Sequence, residues 1–213
     1  MKLYDSLRAP NPRRVRWFLA EKGVEDQVEI IDVSIFGGEH RQPEYLAKAG
    51  LANVPMLEMD DGTAITESVA ICRYLESVFP EPNLFGVDAR EIAIIEMWTR
   101  RAEMMLATPL MMTVRHSHPA LAALEKQIPE IAESNRAGAT RALKVFDRRL
   151  AESAYIAADR VTIADILVAT SIDFSRMAKF VVPDEMEHVK HWYEGMLARP
   201  AAKAGTVARD AAA

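Results

Sequence analysis

Residues 53–68 constrain the fold of this chain more than any other segment. A strand-like run begins at Val54-Pro55, and the segment closes on the polar pair Glu67-Ser68. Between them an Asp-Gly pair flanked by apolar residues is typical of a hairpin turn, so an antiparallel hairpin leading into a helix is predicted. Such a segment could hold a small peptide along its backbone and bind both charges at one of the peptide's ends.

The first eighty residues alternate between strand-like and helix-like stretches in the predicted order β-α-β-α-β-β-α. The first helix is predicted to have Asn11 as its N-cap and Pro12 as its first residue, and to stop at Gly23. The last helix of this part is predicted over residues 67–78. Residues 80–83, Pro-Glu-Pro-Asn, break both patterns and predict a linker.

Beyond the linker the pattern is helical, with almost no strand signal. Helices are predicted over residues 88–116 with a kink near Pro109, 120–153 with an interruption near Pro129, 162–180 and 184–198. Thr162 and Asp165 have the spacing of a capping box, with a shorter acid at its fourth position. The sequence therefore predicts an α/β domain over residues 1–80 and an all-α domain over residues 87–204.

Composition and charge exclude several functions. A formal net charge of −5 over 213 residues gives no general attraction to nucleic acid or anionic lipid. The start of the chain lacks the apolar run of a signal peptide, and no stretch could span a bilayer, which predicts a cytoplasmic protein. The one cysteine, Cys72, excludes an intrachain disulfide, and its helical spacing predicts a buried thiol. No spacing of potential ligands predicts a metal site.

Several short motifs, in order along nearly the whole chain, resemble those of the glutathione S-transferases. This resemblance implies a thioredoxin-like first domain, a helical-bundle second domain and a cis peptide bond at the Val-Pro pair. From the residues alone, an ordinary trans proline entering an edge strand is the alternative. The motifs are the first-helix start Asn11-Pro12-Arg13-Arg14-Val15-Arg16, the pair Val54-Pro55, the pair Glu67-Ser68, the interdomain segment Leu84-Phe85-Gly86 and the capping box Thr162-Ile163-Ala164-Asp165.

The resemblance also implies a glutathione site in the first domain. Glu67 suits the ammonium of glutathione's γ-glutamyl end, while the Ser68 hydroxyl and the N–H groups at a helix start suit its carboxylate. Helix capping by Thr66 is the alternative explanation of this pair. His40 and Asn53 match positions that contact the glycyl end in relatives, and an exposed loop histidine is the alternative for His40.

The resemblance does not identify the residue that activates the thiol of glutathione. The thiolate is the nucleophile, and relatives stabilise it with Tyr, Ser or Cys after the first strand. Here Ala9 and Pro10 occupy the serine and cysteine positions, and Tyr4 lies one residue early. Asn11 is predicted to stabilise the thiolate with its amide and the N–H groups of the helix start, and Ser6 is the reserve candidate.

Two further groups of residues enter the prediction. The arginines Arg13, Arg14 and Arg16 are expected to form a solvated helix face, one of which could attract glutathione's negative charge. Four methionines lie where the family lines its electrophile pocket, and their flexible, polarizable side chains suit an adaptable apolar site. Core packing is the alternative for them. They are Met104, Met105, Met111 and Met112.

The prediction from the sequence is a glutathione S-transferase in which the glutathione thiolate attacks a small apolar electrophile. The resemblance implies a homodimer, and detoxification is the expected role. Two alternatives remain: a non-catalytic glutathione-binding protein of the same fold, and a glutathione-dependent isomerase, peroxidase or dehalogenase.

Overall fold

The structure is a computed structural model that describes residues 1–206. These residues form two compact units. The first unit comprises Met1–Asn83 together with residues 200–206, and the second comprises Leu84–Arg199.

The first unit contains, within its described residues, a four-stranded sheet and three α-helices in the predicted order. The strand order is β2-β1-β3-β4, with β1 parallel to β2 and β3 antiparallel to both of its neighbours. The elements are β1 (Lys2–Asp5), α1 (Pro10–Lys22), β2 (Glu29–Asp32), α2 (Pro43–Ala49), β3 (Met56–Glu58), β4 (Ala64–Thr66) and α3 (Ser68–Val78).

Helix α1 begins earlier than predicted. Ala9 is the N-cap, with an extended backbone, and its N–H donates to the carbonyl of Ser6 at 2.9 Å. Pro10 supplies the first helical position, where its fixed φ is favourable and its missing N–H costs nothing. The prediction of Asn11 as N-cap is therefore wrong, because Asn11 is the second helical residue. Gly23 ends the helix at a left-handed φ of 66°, as predicted.

The two faces of the sheet have different coverings, as the alternation of side chains along a strand requires. Leu3 and Leu57 are paired across β1 and β3 and fully buried. On the opposite face, Met56 belongs to a buried cluster with Tyr45 of α2, against which Tyr4 packs. Burying side chains of this size stabilises the unit by about 1.5–3 kcal/mol each. Cys72 of α3 is fully buried, as predicted.

The second unit is helical across its described residues. Its first long helix is interrupted by a π-helical segment, Ala102–Ala107, which ends two residues before Pro109. Proline cannot donate to the carbonyl four residues earlier, so the turn before it widens. No helix within residues 1–206 is long and apolar enough to cross a membrane. The helices are α4 (Ala89–Arg101), α5 (Thr108–Arg115), α6 (Pro129–Leu150), α7 (Ile163–Ser175) and α8 (Glu187–Ala198).

The predicted helix over residues 120–153 is shorter than expected. Helix α6 begins at Pro129, which occupies its first turn, and only a 3-10 turn at Pro119–Leu121 lies in the described chain between α5 and α6. The prediction treated Pro129 as an interruption, whereas proline is favourable in the first turn of a helix.

The capping box at the start of α7 is confirmed. Oδ2 of Asp165 accepts hydrogen bonds from the Thr162 N–H at 3.0 Å and from the Thr162 hydroxyl at 2.9 Å. Its Oδ1 accepts from the Ile156 N–H at 2.9 Å and from Nε1 of Trp192 at 3.1 Å. Because Asp165 is fully buried, this one carboxylate joins the start of α7 to the preceding loop and to α8.

Candidate functional site

The register of the β3–β4 hairpin brings the two ends of the predicted site together. Met56 and Thr66 are the last paired residues of β3 and β4 at this end. Pro55 and Glu67 come next on the two strands, and neighbouring strands lie about 4.8 Å apart. The Val-Pro bond before β3 is cis, as the resemblance implied. The cis-proline and the polar pair are therefore neighbours at one edge of the sheet.

The loop that follows β1 leaves the sheet at the same edge. Tyr4 pairs with Met56, so Asp5 and the loop from Ser6 lie beyond the paired start of β3. The Tyr4 hydroxyl points elsewhere, donating to Oε2 of Glu58 at 2.6 Å and accepting from Lys48 at 3.2 Å. Three segments that are distant in sequence thus meet at one edge, and Tyr4 is engaged in a different contact.

Glu67 has an unusual backbone at the start of α3. Its φ of 69° and ψ of 113° lie in a region that residues other than glycine rarely adopt. Such conformations cluster at functional sites. Glu67 is itself the N-cap, and Thr66 is the last residue of β4, so capping by Thr66 is wrong. The Glu67 side chain makes no capping hydrogen bond, and the first N–H groups of a helix in this state suit an anion.

Ser68 is held by an arginine that the sequence analysis assigned to a solvated face. Nη1 of Arg14 donates to Oγ of Ser68 at 2.6 Å, and Ser68 is 4% exposed. Arg13, Arg14 and Arg16 are all buried, so the predicted solvated face is wrong. Their long stems lie among apolar neighbours while each guanidinium reaches a polar partner.

A buried ion pair fixes the loop between β1 and α1. Nη1 of Arg16 lies 2.5 Å from Oδ2 of Asp5, and its Nη2 donates to the Leu7 carbonyl at 3.0 Å. Asp5 is 2% exposed, and its own carbonyl accepts from the Val33 N–H at 2.6 Å. This pair could not be predicted from the sequence, because charged side chains are usually exposed and nothing local links a strand residue to the following helix.

The start of α1 offers few donors for a thiolate. Pro10 and Pro12 have no N–H, and the Ala9 N–H is engaged by the Ser6 carbonyl. The Asn11 N–H has no hydrogen-bond partner among residues 1–206. Asn11 is half-buried, so it can present its backbone N–H and its side-chain amide together.

His40 and Asn53 lie in different environments. His40 is 5% exposed, and its Nδ1 has no hydrogen-bond partner in the described residues, so an exposed loop histidine is wrong. Burial lowers the pKa of the His40 imidazole, and the charge of Arg41 adds to this effect. Asn53 is exposed directly before Val54 and the cis-proline, and its carbonyl accepts from the Tyr45 hydroxyl. Within residues 1–206 no hydrogen bond joins His40 to Asn53.

The four methionines of the second unit divide into two pairs. Met104 and Met105 lie in the π-helical segment and are 62% and 41% exposed, so core packing is wrong for them. Met111 and Met112 lie in α5 and are half-buried. π-Helical segments are frequent at functional sites. Across residues 1–206 no group of three or more potential metal ligands occurs.

Comparison with known proteins identifies the family. Residues 9–78 match the family model described as Glutathione S-transferase, N-terminal domain, and residues 102–200 match Glutathione S-transferase, C-terminal domain. Glutathione S-transferase 2 of Saccharomyces cerevisiae is 37% identical over 205 residues, which cover 95% of this chain and 88% of the relative. The chain belongs to the glutathione S-transferase family.

Solved structures agree with this assignment. The crystal structure of Gtt2 from Saccharomyces cerevisiae superposes on this transferase with a TM-score of 0.90 at 36% identity, covering 97% of this chain and 100% of the other. A glutathione S-transferase domain-containing protein from Marinobacter aquaeolei VT8 gives a TM-score of 0.88 at 37% identity, covering 94% and 99%. The predicted thioredoxin-like α/β domain followed by an all-α domain is confirmed.

Proposed function

We propose that this glutathione transferase binds glutathione at the sheet edge formed by Val54-Pro55 and Glu67-Ser68 and stabilises its thiolate. The hairpin register carries this proposal, because it sets the cis-proline beside the polar pair. Val54 lies outside the pairing of β3, so its N–H and carbonyl suit the backbone of an extended tripeptide.

The charged ends of glutathione fit separate groups of this edge. Glu67 accepts from the γ-glutamyl ammonium, while Ser68 and the N–H groups of α3 donate to the carboxylate. His40 and Asn53 donate to the glycyl carboxylate, with Asn53 supplying a hydrogen bond and no charge. Hydrogen bonds to charged groups contribute about 1.5–3 kcal/mol each, so this set favours the tripeptide over neutral thiols.

Asn11 stabilises the thiolate in this proposal. Its backbone N–H and side-chain amide act beside the positive end of α1, and the Ser6 hydroxyl is the second donor. Thiolate stabilisation increases the fraction of the nucleophilic form, and approximation of the two reactants supplies the rest of the rate enhancement.

The electrophile is proposed to be small and apolar. The exposed side chains of Met104 and Met105, with Met111 and Met112 in the next helix, give an adaptable apolar surface for its binding. A homodimer, a cytoplasmic location and a role in detoxification complete the proposal.

The test is calorimetric binding of glutathione at millimolar concentration, followed by conjugation of a generic aryl halide. We expect binding and glutathione-dependent conjugation. Absence of binding would contradict the proposed site. Binding without conjugation would support the glutathione site and contradict the proposed transfer reaction. Turnover confined to isomerisation, peroxide reduction or dehalogenation would do the same.

His40 provides a pH-dependent prediction. A carboxylate beside an imidazole favours its protonated form, so bound glutathione is expected to raise the His40 pKa from its lowered value. Glutathione affinity should consequently increase as pH falls through the interval between the free and bound pKa values. Proton NMR titration of the imidazoles, with the signal assigned through His40→Gln, measures this shift. His188 and His191 of α8 belong to the second unit and to no part of the proposed glutathione site, so they serve as internal controls. An unchanged His40 pKa would remove His40 from the site.

A further inference from the structure

We infer that Arg14 gives the site its preference for the γ-glutamyl carboxylate by acting through Ser68. This inference rests on the proposed glutathione site and adds to it a residue that sets specificity. Its basis is the hydrogen bond of 2.6 Å from Nη1 of Arg14 to Oγ of Ser68, which joins the second turn of α1 to the first residue of α3.

The direction of this hydrogen bond determines what Ser68 can do. A guanidinium only donates, so the Ser68 oxygen is the acceptor and one of its lone pairs is occupied. The hydroxyl proton is then available for donation to a ligand. A serine held in this way is a good donor to a carboxylate and a poor acceptor for an ammonium. The assignment of carboxylate to Ser68 and ammonium to Glu67 follows from this polarity.

The charge of Arg14 acts in the same direction. Its side chain is 3% exposed, so water screens the charge much less than at the surface. The guanidinium contacts the first residue of α3, and the start of a helix itself has a partial positive charge. Burial raises the pKa of the Cys72 thiol in the next turn of α3, and the charge of Arg14 opposes that rise. The Arg14 guanidinium, 2.6 Å from Oγ of Ser68, therefore lies beside the point at which the carboxylate is proposed to bind.

Arg13 provides a matched comparison within the same helix turn. It is also a buried arginine, 7% exposed, and it lies over the ring of Trp17. Its Nη2 donates to the Ala202 carbonyl at 3.3 Å. Removing Arg13 therefore deletes a buried guanidinium of the same size while leaving the contact between Arg14 and Ser68 in place.

The experiment measures binding of two ligands by calorimetry. One is glutathione, and the other is 4-aminobutanoyl-cysteinylglycine, which keeps the ammonium and lacks the γ-glutamyl carboxylate. Wild type should prefer glutathione. Arg14→Met should bind glutathione about 10- to 100-fold more weakly, because the charge-assisted hydrogen bond from Arg14 to Ser68 is lost. The affinity of Arg14→Met for the analogue should change little, and Arg13→Met should keep the wild-type preference.

A second pair of variants tests the route through Ser68. The glutathione affinity lost in Arg14→Met should be much smaller in a Ser68→Ala background, since residues in contact are not additive. Arg14→Gln keeps a donor but no charge, and it serves if Arg14→Met does not fold. A preference for glutathione that survives both Arg14 variants overturns the inference. So do equal losses for both ligands, or fully additive effects with Ser68→Ala. Failure of wild type to bind glutathione instead refutes the proposed site.

Discussion

Replacing Asp5 with alanine is expected to lower the free energy of unfolding by about 3–5 kcal/mol, because it leaves the Arg16 charge buried without its partner. The two residues are 2% and 8% exposed, and their charged groups lie 2.5 Å apart. Arg16 also donates to the Leu7 carbonyl, so its displacement should disturb the loop that carries Ser6. Conjugation should therefore fall along with stability. Denaturant unfolding and aryl halide conjugation measure the two effects.

The control for this prediction is an exposed ion pair of the same sheet. Nζ of Lys2 lies 4.0 Å from Oε2 of Glu29, and both side chains are more than half exposed. Surface ion pairs of this kind contribute little to the free energy of unfolding. Glu29→Gln should leave both stability and conjugation near wild type. An Asp5→Ala variant as stable as Glu29→Gln would contradict the assigned role of the buried pair.

Replacing Asp165 with alanine is expected to destabilise the second unit by about 4 kcal/mol, as several buried donors lose their acceptor together with a helix cap. The donors belong to Thr162, Ile156 and Trp192. Because these donors meet at a fully buried carboxylate, water cannot replace the lost partner. Thermal and denaturant unfolding, with Trp fluorescence as one signal, measure the loss.

Asp88 supplies the matched control for Asp165. It is the N-cap of α4 and accepts from the Glu91 N–H at 2.8 Å, but it is exposed. Asp88→Ala should cost only the roughly 1 kcal/mol typical of an N-cap. Equal losses for the two variants would show that the buried network adds nothing beyond ordinary capping.

The parts of the fold that were predicted correctly depend on local signals. The Asp61-Gly62 pair marks the hairpin, although the turn lies one residue earlier than predicted: the Gly62 N–H donates to the Met59 carbonyl at 3.0 Å, and Gly62 closes the turn with a positive φ of 84°. The stop at Gly23 and the capping box at Thr162 likewise depend on a few neighbouring residues. Because the hairpin was predicted, the pairing of the cis-proline with the polar pair at one edge followed from it.

The parts that were missed depend on distant partners. Arg14 and Ser68 are 54 positions apart, and a lone arginine in a helix pattern is typical of a solvated face. Asn11 was misplaced because asparagine and proline both suit a helix start, while Ala9 carries no capping side chain. The segment from residue 53 to residue 68 therefore predicted the ligand, but it did not predict the distant residue that holds Ser68 in place.

The most direct test of thiolate stabilisation is the thiol pKa of bound glutathione. The absorbance of the thiolate, recorded over a pH titration, measures this pKa. We expect a value about 1–2 units below that of free glutathione in wild type, because donors at the start of α1 favour the charged form. Asn11→Ala should move the pKa back toward the free value, and Ser6→Ala should do so less. A bound thiol with the pKa of free glutathione would contradict thiolate stabilisation and leave a binding protein.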